Sequence, residues 1–301
     1  MSLGLRVWVG EALEPSLLMS FLLVSLGTAV AAYDGFFNLA FYILAIVGVT
    51  LTQNAVNVLN DYHDFKTGVD VKARKTPFSG GSKFLVSGLI NPRSALLFGI
   101  ASFLLALPIG VYFILLRGEA LLGIGIIAAV SVLFYTTTFA RIYLGEFFAG
   151  LNLGPLVIIG AYYVQAARIS VGTIAVGVAP GIMIAMVLYL NEIPDIEADE
   201  NAGRKNLPIL LGRKRASQLY AAIECFAIAW ILISVLTGMT PVATLLALGC
   251  LPFALKSIRG ALRSYNNLEK LVPALAANIA TAYVTLTLLA VGYLLPIIMR
   301  L

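Results

Sequence analysis

The chain has 301 residues, of which 60% are hydrophobic and only 12% charged, with a formal net charge of +5; its mean hydropathy is +0.95. Soluble domains carry about 25% charged residues, so an ordinary water-soluble fold is excluded and an all-α integral membrane protein is expected. The basic residues cluster in loops, where membrane orientation accounts for them and no nucleic-acid partner is implied.

In chain order, the residues up to Pro15 mix Trp8 with Arg6, Glu11 and Glu14. This reads as an interfacial lead-in, not as a cleavable signal with a charged start and a short apolar core. A hydrocarbon core of about 30 Å takes roughly 20 helical residues. On that scale the chain offers nine apolar runs, at 15–33, 37–60, 94–116, 119–138, 146–166, 172–191, 216–237, 240–258 and 272–298. Turn signals at Tyr33-Asp34-Gly35, Asn91-Pro92, Arg117-Gly118 and Gly238 with Pro241 separate them. Pro108, Pro155, Pro180 and Pro252 predict kinks that neighbouring helices can satisfy. With nine spans, only Arg117, Arg168 and Arg300 fall on the side opposite the other lysines and arginines. The positive side, with the N-terminus, is expected to be cytoplasmic. Few long loops remain, so residues 1–301 are expected to form a single domain in the lipid bilayer. Cys225 and Cys250 both sit inside apolar runs and are expected to be packing residues, not a disulfide or a zinc site.

Against that background two acidic stretches stand out: Asn57-Val-Leu-Asn-Asp-Tyr-His-Asp-Phe-Lys-Thr-Gly-Val-Asp70 and Asn191-Glu-Ile-Pro-Asp-Ile-Glu-Ala-Asp199. Both follow even-numbered runs and so share one membrane side. At helical spacing Asn57, Asp61 and Asp64 fall at i, i+4 and i+7, on one face. Asn191, Asp195 and Asp199 fall at i, i+4 and i+8, on one face if the helix survives Pro194. Carboxylates near the membrane are costly, and their concentration calls for a compensating charge. Oxygen ligands suit Mg²⁺, which binds through one or two carboxylates plus substrate phosphates. Lys66, Lys72, Arg74, Lys75 and Lys83 beside the first stretch, and Arg204 and Lys205 beside the second, can neutralise a leaving diphosphate. Ionisation of a lipid-tailed allylic diphosphate leaves a carbocation, which Tyr62, Tyr135, Tyr162 and Tyr163 are candidates to stabilise by cation–π attraction.

These two stretches, with Gly203-Arg-Lys-Asn-Leu-Pro208, resemble the signature motifs of the UbiA superfamily of membrane prenyltransferases over nearly the whole chain. Thr76-Pro-Phe-Ser-Gly-Gly-Ser82, Leu144-Gly-Glu-Phe-Phe-Ala-Gly-Leu-Asn-Leu-Gly-Pro155 and Tyr162-Tyr-Val-Gln165 are most similar to the branch that prenylates 1,4-dihydroxy-2-naphthoate in menaquinone biosynthesis. The resemblance implies nine transmembrane helices bundled around a polar cavity capped by cytoplasmic loops that carry the motifs. It implies two Mg²⁺ ions held by Asn57, Asp61, Asp64, Asp195 and Asp199, with catalysis by Asp61, Asp64, Asp70, Asp195 and Asp199. The substrate contacts expected are Asn57, Asn60, Lys66, Arg74, Lys83, Tyr135, Arg141, Asn191, Arg204 and Lys205. The implied donor is a prenyl diphosphate such as geranylgeranyl diphosphate. The acceptor is aromatic, or a glycerol phosphate if the chain instead resembles digeranylgeranylglyceryl phosphate synthase. One departure is Glu14-Pro15, where members often carry an Arg-Pro pair before the first helix.

A cation-coupled transporter is the rival from another class. Its ligands belong near the membrane midplane, whereas these acids lie at the ends of runs. Among the remaining polar residues, His63 is expected to be a solvated loop residue. Asn152 and Asn278 are expected to bond between helices. Glu224, inside the seventh run, is either functional or a helix–helix hydrogen-bonding group.

Overall fold

The computed structural model describes residue 8 and residues 15–68, 83–134, 138–201 and 203–299. The long elements are helices: α1 (Pro15–Tyr33), α2 (Leu39–Thr67), α3 (Pro92–Arg117), α4 (Glu119–Phe134), α5 (Gly145–Ala166), α6 (Val171–Asn201), α7 (Leu207–Leu236), α8 (Val242–Ser264) and α9 (Leu268–Ile298). A one-turn helix, Lys83–Val86, precedes α3, and a 3₁₀ turn, Phe139–Arg141, precedes α5. α8 runs as a 3₁₀ helix to Cys250 and as an α-helix from Leu251.

Asparagine starts four of these helices, each accepting a backbone N–H of the first turn that would otherwise go unsatisfied. Asn38 caps α2 at Phe41, Asn91 caps α3 at Arg93, Asn206 caps α7 at Ile209 and Asn267 caps α9 at Lys270. Each predicted run coincides with a helix, the fourth being helical to Phe134. Among the described residues seven of these are long and apolar enough to cross a membrane, while Leu17–Tyr33 and Glu119–Ser131 are shorter apolar helices.

The boundaries that matter are those of α2 and α6. Both outrun the apolar stretches at 37–60 and 172–191 and carry the described acids of their motifs on helix, not on loops as expected. Past Asn60, α2 meets no glycine or proline until Gly68, whose φ of 75° lets its N–H close on Asp64 O and Phe65 O. α6 passes through Pro180 and Pro194 and ends at Asn201.

α6 lies at the centre, packed against α1, α5, α7 and α9. Leu23, Leu26, Tyr162, Met183, Ile231 and Leu286 form one buried cluster where these helices meet. A second cluster, including Tyr189, Leu190, Ile193, Tyr220 and Leu271, lies beneath the second motif. α2 and α3 pack as a pair, and the α2 end is seated on Leu85, Ile90 and Ala95 with Trp8 and Phe98 beside them.

Lipid tails remove most of the hydrophobic drive between helices, so close backbone packing must supply it. The α5–α6 crossing does so through glycine. α5 breaks at Gly154 (φ −138°, ψ −105°) ahead of Pro155. A Cβ on Gly154 would stand 2.4 Å from Gly181 Cα, and one on Gly181 would stand 2.6 Å from Pro155 Cδ. Gly181→Val should therefore overpack the crossing by about 1–3 kcal/mol and lower the melting temperature in detergent. Gly123→Ala, at a position with nothing within 4 Å, should not. Equal melting of the two variants would remove the crossing from the account.

Asn278 Nδ2 donates to Met186 O at 2.9 Å, joining α9 to α6 as expected. Asn152 does not bond between helices: the widened turn at Asn152–Leu156 leads its Nδ2 back to Phe148 O of its own helix at 2.6 Å. Glu224 is fully buried, and neither carboxyl oxygen has a hydrogen-bond partner among the described residues, so it makes no helix–helix bond. Cys225 and Cys250 are both free, the second buried and the first exposed.

Candidate active site

The end of α2 is stiffened from within. Gln53 Nε2 donates to Asn57 Oδ1 at 2.8 Å, and Asn60 Nδ2 donates to Asp64 Oδ2 at 3.1 Å, both one turn apart. Asn54 Nδ2 donates to Ser102 Oγ at 2.8 Å and fastens α2 to α3. Asp61 and Asp64 are buried; Asn57 and Asn60 are half-buried.

The second motif is built around the exit from α6. Asn191 and Asp195 are half-buried and Asp199 is buried. Arg204 N–H donates to Asp199 O at 3.0 Å. Asn206, while capping α7 with its oxygen, donates from Nδ2 to Asp199 Oδ2 at 3.0 Å. Lys205 N–H donates to Ala140 O at 2.9 Å and Tyr143 N–H to Lys205 O at 3.0 Å, clamping this loop to the turn before α5.

The two motifs meet on one side chain. Arg204 Nη2 donates to Asp64 Oδ2 at 2.9 Å, and Arg204 Nη1 to Asp199 Oδ1 at 3.3 Å. A single planar guanidinium thus spans carboxylates from α2 and α6, and its own side chain is 28% exposed. Burial pushes the Asp199 carboxyl up from the ordinary aspartate range. Arg204 and the Asn206 amide pull it back, and the neighbouring charge of Asp64 pushes it up again. Pairing that offsets so costly a burial is what the composition led one to expect.

Other predicted residues sort by end of the bundle. Lys66, in the last turn of α2, Arg141, on the 3₁₀ turn, and Lys205 are exposed at the motif end. Tyr62 and His63 lie on α2 and are half-buried, so His63 is not the solvated loop residue expected; the helix simply continues past it. Tyr162 and Tyr163 are at the far end of α5. Tyr162 O–H donates to Asp34 Oδ2 at 2.6 Å, beside Arg168, and Tyr163 O–H donates to Arg117 O at 3.3 Å. Both belong to the opposite end from the motifs, which removes them as cation-stabilising faces. Arg6, Glu11, Glu14, Asp70, Lys72, Arg74, Lys75, Tyr135 and Arg300 lie outside the described residues, as does the Lys83 side chain.

Three residues not singled out in the sequence complete this end. Glu146, Glu192 and Asn206 join Arg204 and Lys205 around a cavity of about 30 Å³. The available signal was the placement of Glu146 and Glu192 inside or against apolar runs, where a carboxyl needs a reason.

The donor set suits a hard cation. Asp61, Asp64, Asp195 and Asp199 with Asn57 offer carboxylate and amide oxygens from two facing helices. Among the described residues no three His, Cys, Asp or Glu side chains form a group that could hold a metal ion by themselves. Oxygen donors of this kind suit Mg²⁺, which takes one or two carboxylates and completes its shell from phosphate and water, better than a softer transition metal.

A family model described as the UbiA prenyltransferase family matches residues 18–279. The chain belongs to the UbiA prenyltransferase family. It is accordingly a multi-pass membrane enzyme, a polyprenyltransferase. Among its UbiA-family relatives is a protein named 1,4-dihydroxy-2-naphthoate octaprenyltransferase from Bacillus subtilis, 30% identical over 241 residues that cover 79% of this chain and 76% of the relative. The fold is shared with an apo UbiA homolog from Aeropyrum pernix K1 (TM-score 0.69, 19% identity, covering 92% of this chain and 98% of that one). It is also shared with a UbiA homolog from Archaeoglobus fulgidus bound to DMAPP and Mg²⁺ (TM-score 0.58, 20% identity, 90% and 98% coverage).

Proposed function

We propose that this UbiA-family enzyme transfers a polyprenyl group such as geranylgeranyl from its diphosphate to 1,4-dihydroxy-2-naphthoate, releasing diphosphate, with two Mg²⁺ ions. The observation that carries this reading is the bridging of Asp64 and Asp199 by Arg204, because it makes one polar site out of two motifs, Arg204 and Asp64 being 140 positions apart in sequence. The naphthoate acceptor is supported by the relative from Bacillus subtilis.

Asn57, Asp61 and Asp64 on α2 and Asp195 and Asp199 on α6 would hold the ions. Bound there, Mg²⁺ would neutralise the diphosphate and ease its departure as a leaving group. Asn60 and Asn191, on the same helix ends, supply amide donors for phosphate oxygens. Arg204 supplies up to two parallel N–H donors once the carboxylates face a cation instead of its guanidinium. Lys66, Lys205 and Arg141 add positive charge around the mouth. Asp70, Arg74, Lys83 and Tyr135 retain the roles that the family resemblance implies. The allylic cation would be met by the electron-rich acceptor ring, and the motif end, with the N-terminus, would face the cytoplasm.

The test is direct. Purified protein with Mg²⁺, geranylgeranyl diphosphate and either 1,4-dihydroxy-2-naphthoate or geranylgeranylglyceryl phosphate is followed by mass spectrometry. Prenylated naphthoate should form, and chelation with EDTA should abolish it. Product from the glycerol phosphate alone would overturn the acceptor, and full activity in EDTA would overturn the metal.

A further inference from the structure

Two carboxyl groups beside this site have no role in the scheme above. Glu146, in the first turn of α5, and Glu192, on α6, line the same small cavity with Arg204, Lys205 and Asn206. Glu146 is 3% exposed. Its Oε1 accepts from Leu207 N–H at 2.9 Å, which fixes the carboxyl against the start of α7. Its Oε2 is buried without a hydrogen-bond partner among the described residues, and so is Oε2 of Glu192. Both side chains stand on the wall of that cavity.

Two buried carboxyl oxygens on the wall of one cavity cost about 1–3 kcal/mol each when nothing bonds to them, so a polar occupant is required. Size decides which. A water needs roughly 10–15 Å³ of such space, and the cavity offers about 30 Å³. That admits one or two waters and no substrate. The charged groups facing the pair are Asp199 from the end of α6 and Arg204 from the loop that follows it, with Lys205 on the cavity wall. Arg204 is the same guanidinium that touches both motifs, so the cavity adjoins the reaction site through one side chain.

We propose that Glu146 and Glu192, through water in this cavity, take up the proton that the acceptor sheds during prenyl transfer. The proposal rests on the prenyl-transfer reading above. In the step, a ring carbon of the hydroxyaromatic acceptor bonds to prenyl C1, and the C1–O bond breaks with its electron pair on the diphosphate. The acceptor O–H proton passes through water to a carboxylate oxygen of the pair, leaving the acceptor oxygen as a carbonyl. Asp64 and Asp199 are already engaged with Arg204, whereas the Glu pair presents oxygens to the cavity.

The test uses the full-length protein with Mg²⁺, geranylgeranyl diphosphate and 1,4-dihydroxy-2-naphthoate, with kcat measured across pH and prenyl diphosphate affinity measured separately. Glu146→Gln and Glu192→Gln should each lower kcat by about 10²-fold and flatten the acid limb of the pH profile. Affinity for the diphosphate should stay within about twofold. Glu192→Asp, which keeps a carboxyl, should recover part of kcat and the acid limb, and it carries the test if a Gln variant does not fold. Wild-type kcat and an unchanged pH profile in the Gln variants would overturn the relay. So would parallel loss of kcat and diphosphate affinity in the Gln and Asp variants alike, which would mark a purely structural role. Absence of any prenylated product from the wild type would overturn the prenyl-transfer reading, and the relay with it.

Discussion

Asp64→Ala is expected to lower prenyl-transfer kcat by about 10²–10³-fold, the scale on which one preorganised charge contributes to a transition state. The protein should still insert and melt close to the wild type. The split follows from the geometry. Removing the Asp64 carboxylate leaves Arg204 paired with Asp199 at 3.3 Å and still 28% open to water, so no buried charge is stranded. What is lost is one of the three α2 side chains, Asn57, Asp61 and Asp64, that would hold a cation for the diphosphate, and the one that meets the second motif through Arg204. Lys66→Ala, at the exposed last turn of the same helix, should cost less than about tenfold because an exposed charge acts weakly through solvent. Turnover and melting temperature of both variants, measured side by side, check the argument. An Asp64→Ala enzyme that keeps more than a tenth of wild-type turnover would sink the assignment of α2 as a metal-holding helix.

Much of this was legible in the chain because membranes make sequence unusually informative. Long apolar runs have one stable form in lipid, and the positions of the helices followed from them. The ends of α2 and α6 were not legible, since hydropathy drops at Asn60 and Asn191 while the backbone continues to Thr67 and Asn201. Polarity marks where lipid stops, not where hydrogen bonding stops. The structure joins Asp64 and Asp199, which helical spacing singled out with Asp61 and Asp195, through Arg204, which was singled out by sequence proximity. Neither spacing nor proximity could foresee that Arg204 would be the joint between motifs, because that depends on the turn through Gly203 and on Asn206 holding Asp199 from the other side. Tyr162 and Tyr163 show the reverse failure. Their residue type suited a carbocation, but α5 carries them to the opposite end, where they bond Asp34 and Arg117.

Arg204→Gln separates the structural from the chemical role of that joint. In the variant, the carboxylates of Asp64 and Asp199 still face each other, both buried, with a neutral amide in place of the guanidinium. Each loses a charge-assisted hydrogen bond, a cost of about 1–3 kcal/mol, and the melting temperature in detergent should fall accordingly. If the space between these carboxylates is a cation seat, a divalent ion can take over the neutralising role that the guanidinium has in the wild type. Millimolar Mg²⁺ should then raise the melting temperature of Arg204→Gln by more than it raises that of the wild type, where Arg204 competes for the same oxygens. The double variant Arg204→Gln with Asp64→Asn keeps only one of the two carboxylates that the guanidinium bridges, and the extra Mg²⁺ response should disappear with the other. Activity is no guide here, because Arg204 is also placed to hold the departing diphosphate, so turnover should stay low whether or not Mg²⁺ restores the fold. A Mg²⁺ response equal in wild type and Arg204→Gln would mean that the two motifs converge on an arginine and on nothing else.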